Sequence, residues 1–258
     1  MRPAGATIIP LRTPGGALRT ARFVAPAARR RFFPHVPTAP RFRTLLVDVD
    51  STLCGVEGID WLAERRGPDA AVAVTAMTER AMRGEIALDA VYGERLALVR
   101  PGRDDLAALA QVYAAALAPG AADTIARLRA AGVRLALVSG GLRQAILPAV
   151  RPLGFTYDDV HAVDVVLDMG GGYFAYDAGS PLATQHGKAE VARALLGAGA
   201  PRPALAVGDG STDVAMRGPG ACDALAAFTG FARREAVVAA ADHVVDSFDA
   251  LAALVLGD

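Results

Sequence analysis

Lysine is almost absent from this chain: 27 basic residues comprise 26 Arg and a single Lys, Lys188. Where arginine is written nearly everywhere, one compact ammonium invites a local reason, because the two side chains differ in shape and hydration. Cysteine is scarce as well. Cys54 and Cys222 lie far apart and offer neither a metal-ligand spacing nor a disulfide framework, which points to free thiols in a reducing compartment. The four histidines, His35, His161, His186 and His243, are scattered and form no metal pair. No apolar run reaches about 18 residues, so no transmembrane helix is expected.

Acidic residues are missing from one end only. The first 47 residues hold nine Arg and no acid, leaving 18 basic against 27 acidic residues in the remainder, a net of −9 behind a formal charge of zero. The first forty residues are rich in Pro and Gly and lack periodicity, so residues 1–40 are read as a mobile Arg/Pro-rich arm. That arm has no serine, which counts against an organelle transit peptide. The expected compartment is the cytoplasm, with organelle import through the arm as the lesser alternative. A small-molecule substrate is the expected partner, with no nucleic acid and no membrane. Composition does not choose between monomer and homodimer.

What is present is a chain of 258 residues, 53% hydrophobic and 21% charged, enough for one large domain or two modest ones. After an apolar strand at about 43–50, four helical patterns closed by Gly or Pro follow without a strand, over 56–118. Helices and strands then alternate to the end. The strands at 45–49, 133–138 and 204–207 are nearly continuous apolar runs, as in a parallel sheet covered on both faces. The expected fold is therefore α/β, a Rossmann-like parallel-sheet core (41–55 and 119–258) with an inserted α-helical cap (56–118).

Open α/β sheets bind ligands beyond the carboxyl ends of their strands. Three such ends carry polar signatures: "DVDST" at 48–52, "SGG" at 139–141 and "GDGSTD" at 208–213; "HGK" at 186–188 opens a helix. If these ends meet, Asp48, Asp50, Ser139, Lys188, Asp209 and Asp213 share one site. Carboxylates without Cys or His favour a hard cation, and Mg²⁺ fits best. Ser139 with the N–H groups of Gly140 and Gly141 suits an anion at a helix start, and an ammonium can neutralise a phosphoryl group in transfer. One carboxylate can then attack phosphorus while a second moves the proton. On residues 88–98, Leu88, Val91, Arg95 and Leu98 fall on one helical face. An Arg on an apolar stripe needs an anion, for which a substrate carboxylate or Glu57 would serve.

The ordered set "DVDST … SGG … K … GDGSTD" resembles the haloacid dehalogenase (HAD) superfamily. More narrowly, "DVDSTLCGVEGIDWLAE", "AMRGEIALDAVYGERLAL", "LVSGGLRQ" and "VGDGSTDVAM" resemble its phosphoserine phosphatase family, from about residue 41 to the end. The resemblance implies a Mg²⁺-dependent phosphomonoesterase acting on O-phospho-L-serine through an aspartyl-phosphate. It implies Asp48 as nucleophile and Asp50 as general acid and base. Mg²⁺ would lie between Asp48, the Asp50 carbonyl and Asp209, with Asp213 behind them. Ser139, Gly140 and Lys188 would hold phosphate, Glu57 the substrate ammonium and Arg95 its carboxylate, with Thr212 lining the site. Two features depart from the family: Val163 and Asp164 follow Ala162 where an Asn is usual, and the hairpin turn is a triple Gly at 170–172. They leave open another small phosphomonoester, such as phosphohomoserine or phosphoethanolamine, or transfer to an acceptor alcohol. A receiver-type signalling module shares the aspartate, Mg²⁺ and Lys, but has neither the second acid nor the helical insertion.

Overall fold

The computed structural model describes residues 8–12, 18–22, 39–82, 85, 86 and 88–257, in two units, 1–37 and 38–258. In the first, β1 (Ile8–Arg12) and β2 (Leu18–Arg22) pair antiparallel. The reading of residues 1–40 as an arm without periodicity placed no strand there. Periodicity over five-residue strands is simply too short to register.

In the second unit the first strand is β3 (Thr44–Val47), followed by α1 (Gly58–Arg66), α2 (Pro68–Met82), α3 (Leu88–Val99) and α4 (Arg103–Ala115). Then come α5 (Ala121–Ala130), β4 (Arg134–Leu142), α6 (Arg143–Val150), β5 (Val160–Val163), β6 (Val165–Leu167) and β7 (Tyr173–Tyr176). The chain closes with α7 (Gly187–Gly197), β8 (Ala204–Gly208), α8 (Ser211–Val214), β9 (Ala224–Phe228), α9 (Glu235–Ala240), β10 (His243–Val245) and α10 (Phe248–Leu256).

Six strands form one parallel sheet in the order β10-β9-β8-β3-β4-β5. Every residue of β3, β8 and β9 is buried, which is why they read as unbroken apolar runs with no alternation. Helices supply the cover with one face each: α5 buries Ala121, Thr124, Ile125 and Leu128, the spacing of one helical stripe. Because β3 lies between β8 and β4, the chain leaves it in opposite directions on its two sides. Its carboxyl end is the switch point where such sheets open a crevice.

The helices α1, α2 and α3 pack on one another, and α1 also on α4. α4 lies along α6, so the inserted segment is welded to the sheet layer through its last helix. β6 and β7 form a separate antiparallel hairpin. Its turn meets the helical segment: the Arg103 N–H donates to the Gly171 carbonyl at 2.8 Å. Tyr176 packs on Tyr92 with ring centroids 5.4 Å apart, and the Arg100 guanidinium lies over Tyr173. The triple-Gly turn thus fits tightly against the start of α4. Val163 is fully buried in β5, and the Asp164 carboxylate accepts from Arg143 at 3.1 Å. Neither lines the cleft described below.

Candidate active site

Past β3 the chain turns sharply, with Ser51 in the left-handed region at φ 51°. A β-carbon makes that region costly, on the order of 1–3 kcal/mol, and here the turn is tied down. Cys54 N–H donates to the Val49 carbonyl at 2.9 Å, and Ser51 Oγ donates to Glu57 Oε1 at 2.7 Å. The turn aims Asp48 and Asp50 into a cavity of about 120 Å³, also lined by Glu57, Tyr92, Arg95, Gly140, Lys188, Asp209, Thr212 and Asp213. That volume suits a small molecule.

Lys188 sits at the centre of the charge. It enters on the first turn of α7, where Gly187 lets the helix start against the Pro181 carbonyl; a β-carbon there would lie 1.6 Å from that oxygen. Its ammonium bridges Asp48 Oδ1 at 2.6 Å and Asp213 Oδ1 at 2.8 Å. Burial alone would lower the Lys188 pKa, but the Asp213 and Asp48 charges outweigh it and hold it above the ordinary value. Asp48 is pushed well up by burial and by Asp213, with Lys188 opposing. The lysine is therefore the counter-ion that lets the acids coexist.

The oxygens of Asp48, Asp209 and Asp213 come within 4.8 Å of one another. Asp213 has little left to offer, since Oδ1 accepts from Lys188 and Oδ2 from the Gly210 N–H at 2.9 Å. Asp209 Oδ1 accepts from Thr52 at 3.3 Å, while its buried Oδ2 accepts no well-formed hydrogen bond. The Arg234 guanidinium abuts that carboxylate as an ion-pair partner. The carboxylates of Asp48 and Asp209, close together and backed by Asp213 with no Cys or His among them, are a donor set for a hard divalent cation. The residues fit such an ion.

Several expectations are modified by the fold. Ser139-Gly140-Gly141 lies inside the strand-like stretch of β4, at a register shift between Val138 and Leu142, and the helix begins only at Arg143. Ser139 is buried behind the cleft, and its Oγ accepts the Gly141 N–H at 2.9 Å. That N–H is thereby withdrawn from the anion cradle. On α3 the buried face is Val91, Tyr92, Arg95, Leu96 and Val99, while Leu98 is 42% exposed; the side chain of Leu88 lies outside the described residues. Offsets of 3 and 4 cannot separate adjacent stripes on a helix that is apolar almost all round. Arg95 takes Asp60 as its ion-pair partner at 3.5 Å rather than Glu57, and its Nε has no hydrogen-bond partner. Glu57 pairs with Ser51 and, at 3.9 Å, with Arg234. Burial and the charge of Asp50 raise the Glu57 pKa to about 7.

Sequence reasoning missed two tyrosines and an arginine. Tyr92 donates to the Gly140 carbonyl at 2.7 Å and Tyr113 to Asp50 Oδ1 at 2.6 Å. Both are buried and sit on helices where an aromatic reads as core. Arg234 follows β9 at a distance in sequence that no motif spans.

A parallel sheet with its acids at the switch point, a lysine between them and a helical insertion after the first strand defines a phosphotransferase-type hydrolase. The haloacid dehalogenase-like hydrolase family model matches residues 42–217, and the chain belongs to that family. Within it, the relatives are phosphoserine phosphatases. The chloroplastic enzyme of Arabidopsis thaliana is 33% identical over 204 residues, covering 79% of this chain and 68% of that one. The Mus musculus enzyme is 35% identical over 184 residues, covering 71% and 79%. A phosphoserine phosphohydrolase-like protein from Francisella tularensis has the same fold, with a TM-score of 0.74 at 23% identity over 82% of this chain and 99% of that one. No helix among the described residues is long and apolar enough to cross a membrane.

Proposed function

We propose that this chain hydrolyses O-phospho-L-serine to L-serine and phosphate through an aspartyl-phosphate on Asp48. One observation carries the reading: a single small cleft is lined by Asp48, paired with Lys188, and also by Glu57 and Arg95. The Asp48–Lys188 pair suits a phosphoryl group, and a further acid and arginine in the same cleft suit the ammonium and carboxylate of an amino acid.

A carboxylate oxygen of Asp48 attacks phosphorus in line with the seryl oxygen. Asp50 gives a proton to that leaving oxygen, then takes one from the water that breaks the acyl phosphate. Lys188 and Gly140 hold the phosphoryl group and its developing charge, with Ser139 behind them fixing the Gly141 N–H. Asp48, the carbonyl of Asp50 and Asp209 would hold Mg²⁺, with Asp213 keeping Lys188 in register. When bound, that ion would supply positive charge to the phosphoryl oxygens and offset the repulsion between nucleophile and substrate. Thr212 lines the same cleft. Two unpaired buried thiols suit work in a reducing compartment such as the cytoplasm.

The test is phosphate release from phosphoserine, phosphothreonine, phosphoethanolamine and phosphohomoserine, before and after chelation. Phosphoserine should be preferred, activity should vanish with chelator and return with Mg²⁺, and Asp48→Asn should abolish it. Equal turnover of all four would overturn the roles of Glu57 and Arg95.

A further inference from the structure

We infer that Tyr113 is a positioning residue for Asp50, holding one carboxylate oxygen so that only the other exchanges the catalytic proton. The inference rests on the phosphatase reading above and assigns a function to a side chain that no motif contains.

Tyr113 lies in the last turns of α4 and is fully buried. Its hydroxyl donates to Asp50 Oδ1 at 2.6 Å, and the Gly58 N–H donates to the same oxygen at 2.9 Å. Two donors directed at Oδ1 leave no room for a proton on it. The remaining oxygen, Oδ2, lies toward the phosphate loop, 3.5 Å from Ser139 Oγ and beside Gly141. A proton carried by Asp50 therefore sits on Oδ2, the oxygen beside Gly141, which lines the cleft.

The phenol has a slot made for it. A β-carbon on Gly58 would stand 2.0 Å from the Tyr113 hydroxyl oxygen, so only glycine at the start of α1 admits this contact. The tyrosine also links two parts of the molecule, since α4 packs against α6 while its side chain reaches the tip of β3.

The chemistry balances on Oδ2 alone. As an Asp48 oxygen bonds to phosphorus, the P–O bond to serine breaks and its electron pair stays on the seryl oxygen. That oxygen takes the proton from Oδ2, leaving Asp50 ionised with Oδ1 still held by Tyr113 and Gly58. A water then bonds to phosphorus, gives its proton to Oδ2, and the phosphorus–Asp48 bond breaks. Asp50 ends as it began.

The decisive measurement is the single-turnover rate of phosphoenzyme formation by Tyr113→Phe, with O-phospho-L-serine and with p-nitrophenyl phosphate. An alkoxide leaving group needs the proton, whereas p-nitrophenolate leaves without it. We expect the serine ester to lose about 10- to 100-fold in rate with KM within about twofold, and the nitrophenyl ester to lose less than about threefold. Equal losses for both, or no loss for either, would overturn the inference, since a merely structural tyrosine cannot sense the leaving group. Gly58→Ala, which drives the phenol off Oδ1, must show the same dependence on leaving group, and it decides the matter if Tyr113→Phe does not fold. If the unaltered protein hydrolyses the nitrophenyl ester but not phosphoserine, the substrate reading fails alone, and the same ratio measured with an alkyl phosphate it accepts still judges Tyr113.

Discussion

At the scale of residues, the site is an exercise in placing like charges together. Asp48, Asp209 and Asp213 converge within 4.8 Å, and Lys188 bridges two of them. Burial and the charge of Asp50 raise the Glu57 pKa to about 7, where ordinary buffers probe it. On the proposed reading Glu57 holds the substrate ammonium only when ionised, so affinity should be present above that pH and lost as pH falls through it. KM for phosphoserine should therefore rise about tenfold for each unit below pH 7 on the acid side. In Glu57→Gln the KM should be high throughout and nearly flat with pH. Steady-state kinetics from pH 5.5 to 8.5 (on the order of three units, spanning the titration) would check this, and a wild-type slope persisting in the variant would refute it.

At the scale of elements, what matters is how closely backbones approach. α7 begins so near the 3-10 turn at Pro181–Ala183 that Gly187 leaves no space for a methyl group. Gly187→Ala must shift the helix start or that turn, and backbone atoms cannot swing aside as a side chain can. We expect a cost of about 2–3 kcal/mol, read as a fall in melting temperature of about 4–12 °C. Because Lys188 is the next residue, kcat should fall more steeply than stability does. Thermal unfolding followed by kinetics on the folded fraction separates the two effects. The hairpin β6–β7 is the other informative element. Its triple-Gly turn packs on the start of α4 through Arg103, while Tyr176 packs on Tyr92, a residue of the cleft lining.

At the scale of the whole molecule, all the site residues lie within 38–258, the larger of the two units. Removal of residues 1–37 should leave kcat/KM for phosphoserine within about twofold and the unfolding of the remainder cooperative. A loss beyond about tenfold would show that the N-terminal unit contributes to catalysis. The inserted helices, by contrast, are not separable: α4 packs on α6, and Tyr92 and Tyr113 bond across to Gly140 and Asp50. Excising them would expose the core and undo the site together.

The sequence alone determined the class of fold, the order of its motifs and which acids stand at the strand ends that meet in the cleft. Apolar runs of strand length, helical spacing and carboxylates at strand ends are local patterns, set by residues close together in the chain. Asp48, Asp50, Lys188, Asp209 and Asp213 were legible for that reason. Only the tertiary structure decided that Arg95 faces Asp60, that Ser139 turns its hydroxyl to Gly141, and that Tyr92, Tyr113 and Arg234 contact Gly140, Asp50 and Asp209. Each of these partners, Ser139 and Gly141 excepted, is separated by tens of residues. Which oxygen meets which donor depends on how helices pack, and helix packing leaves no periodic trace at any single residue.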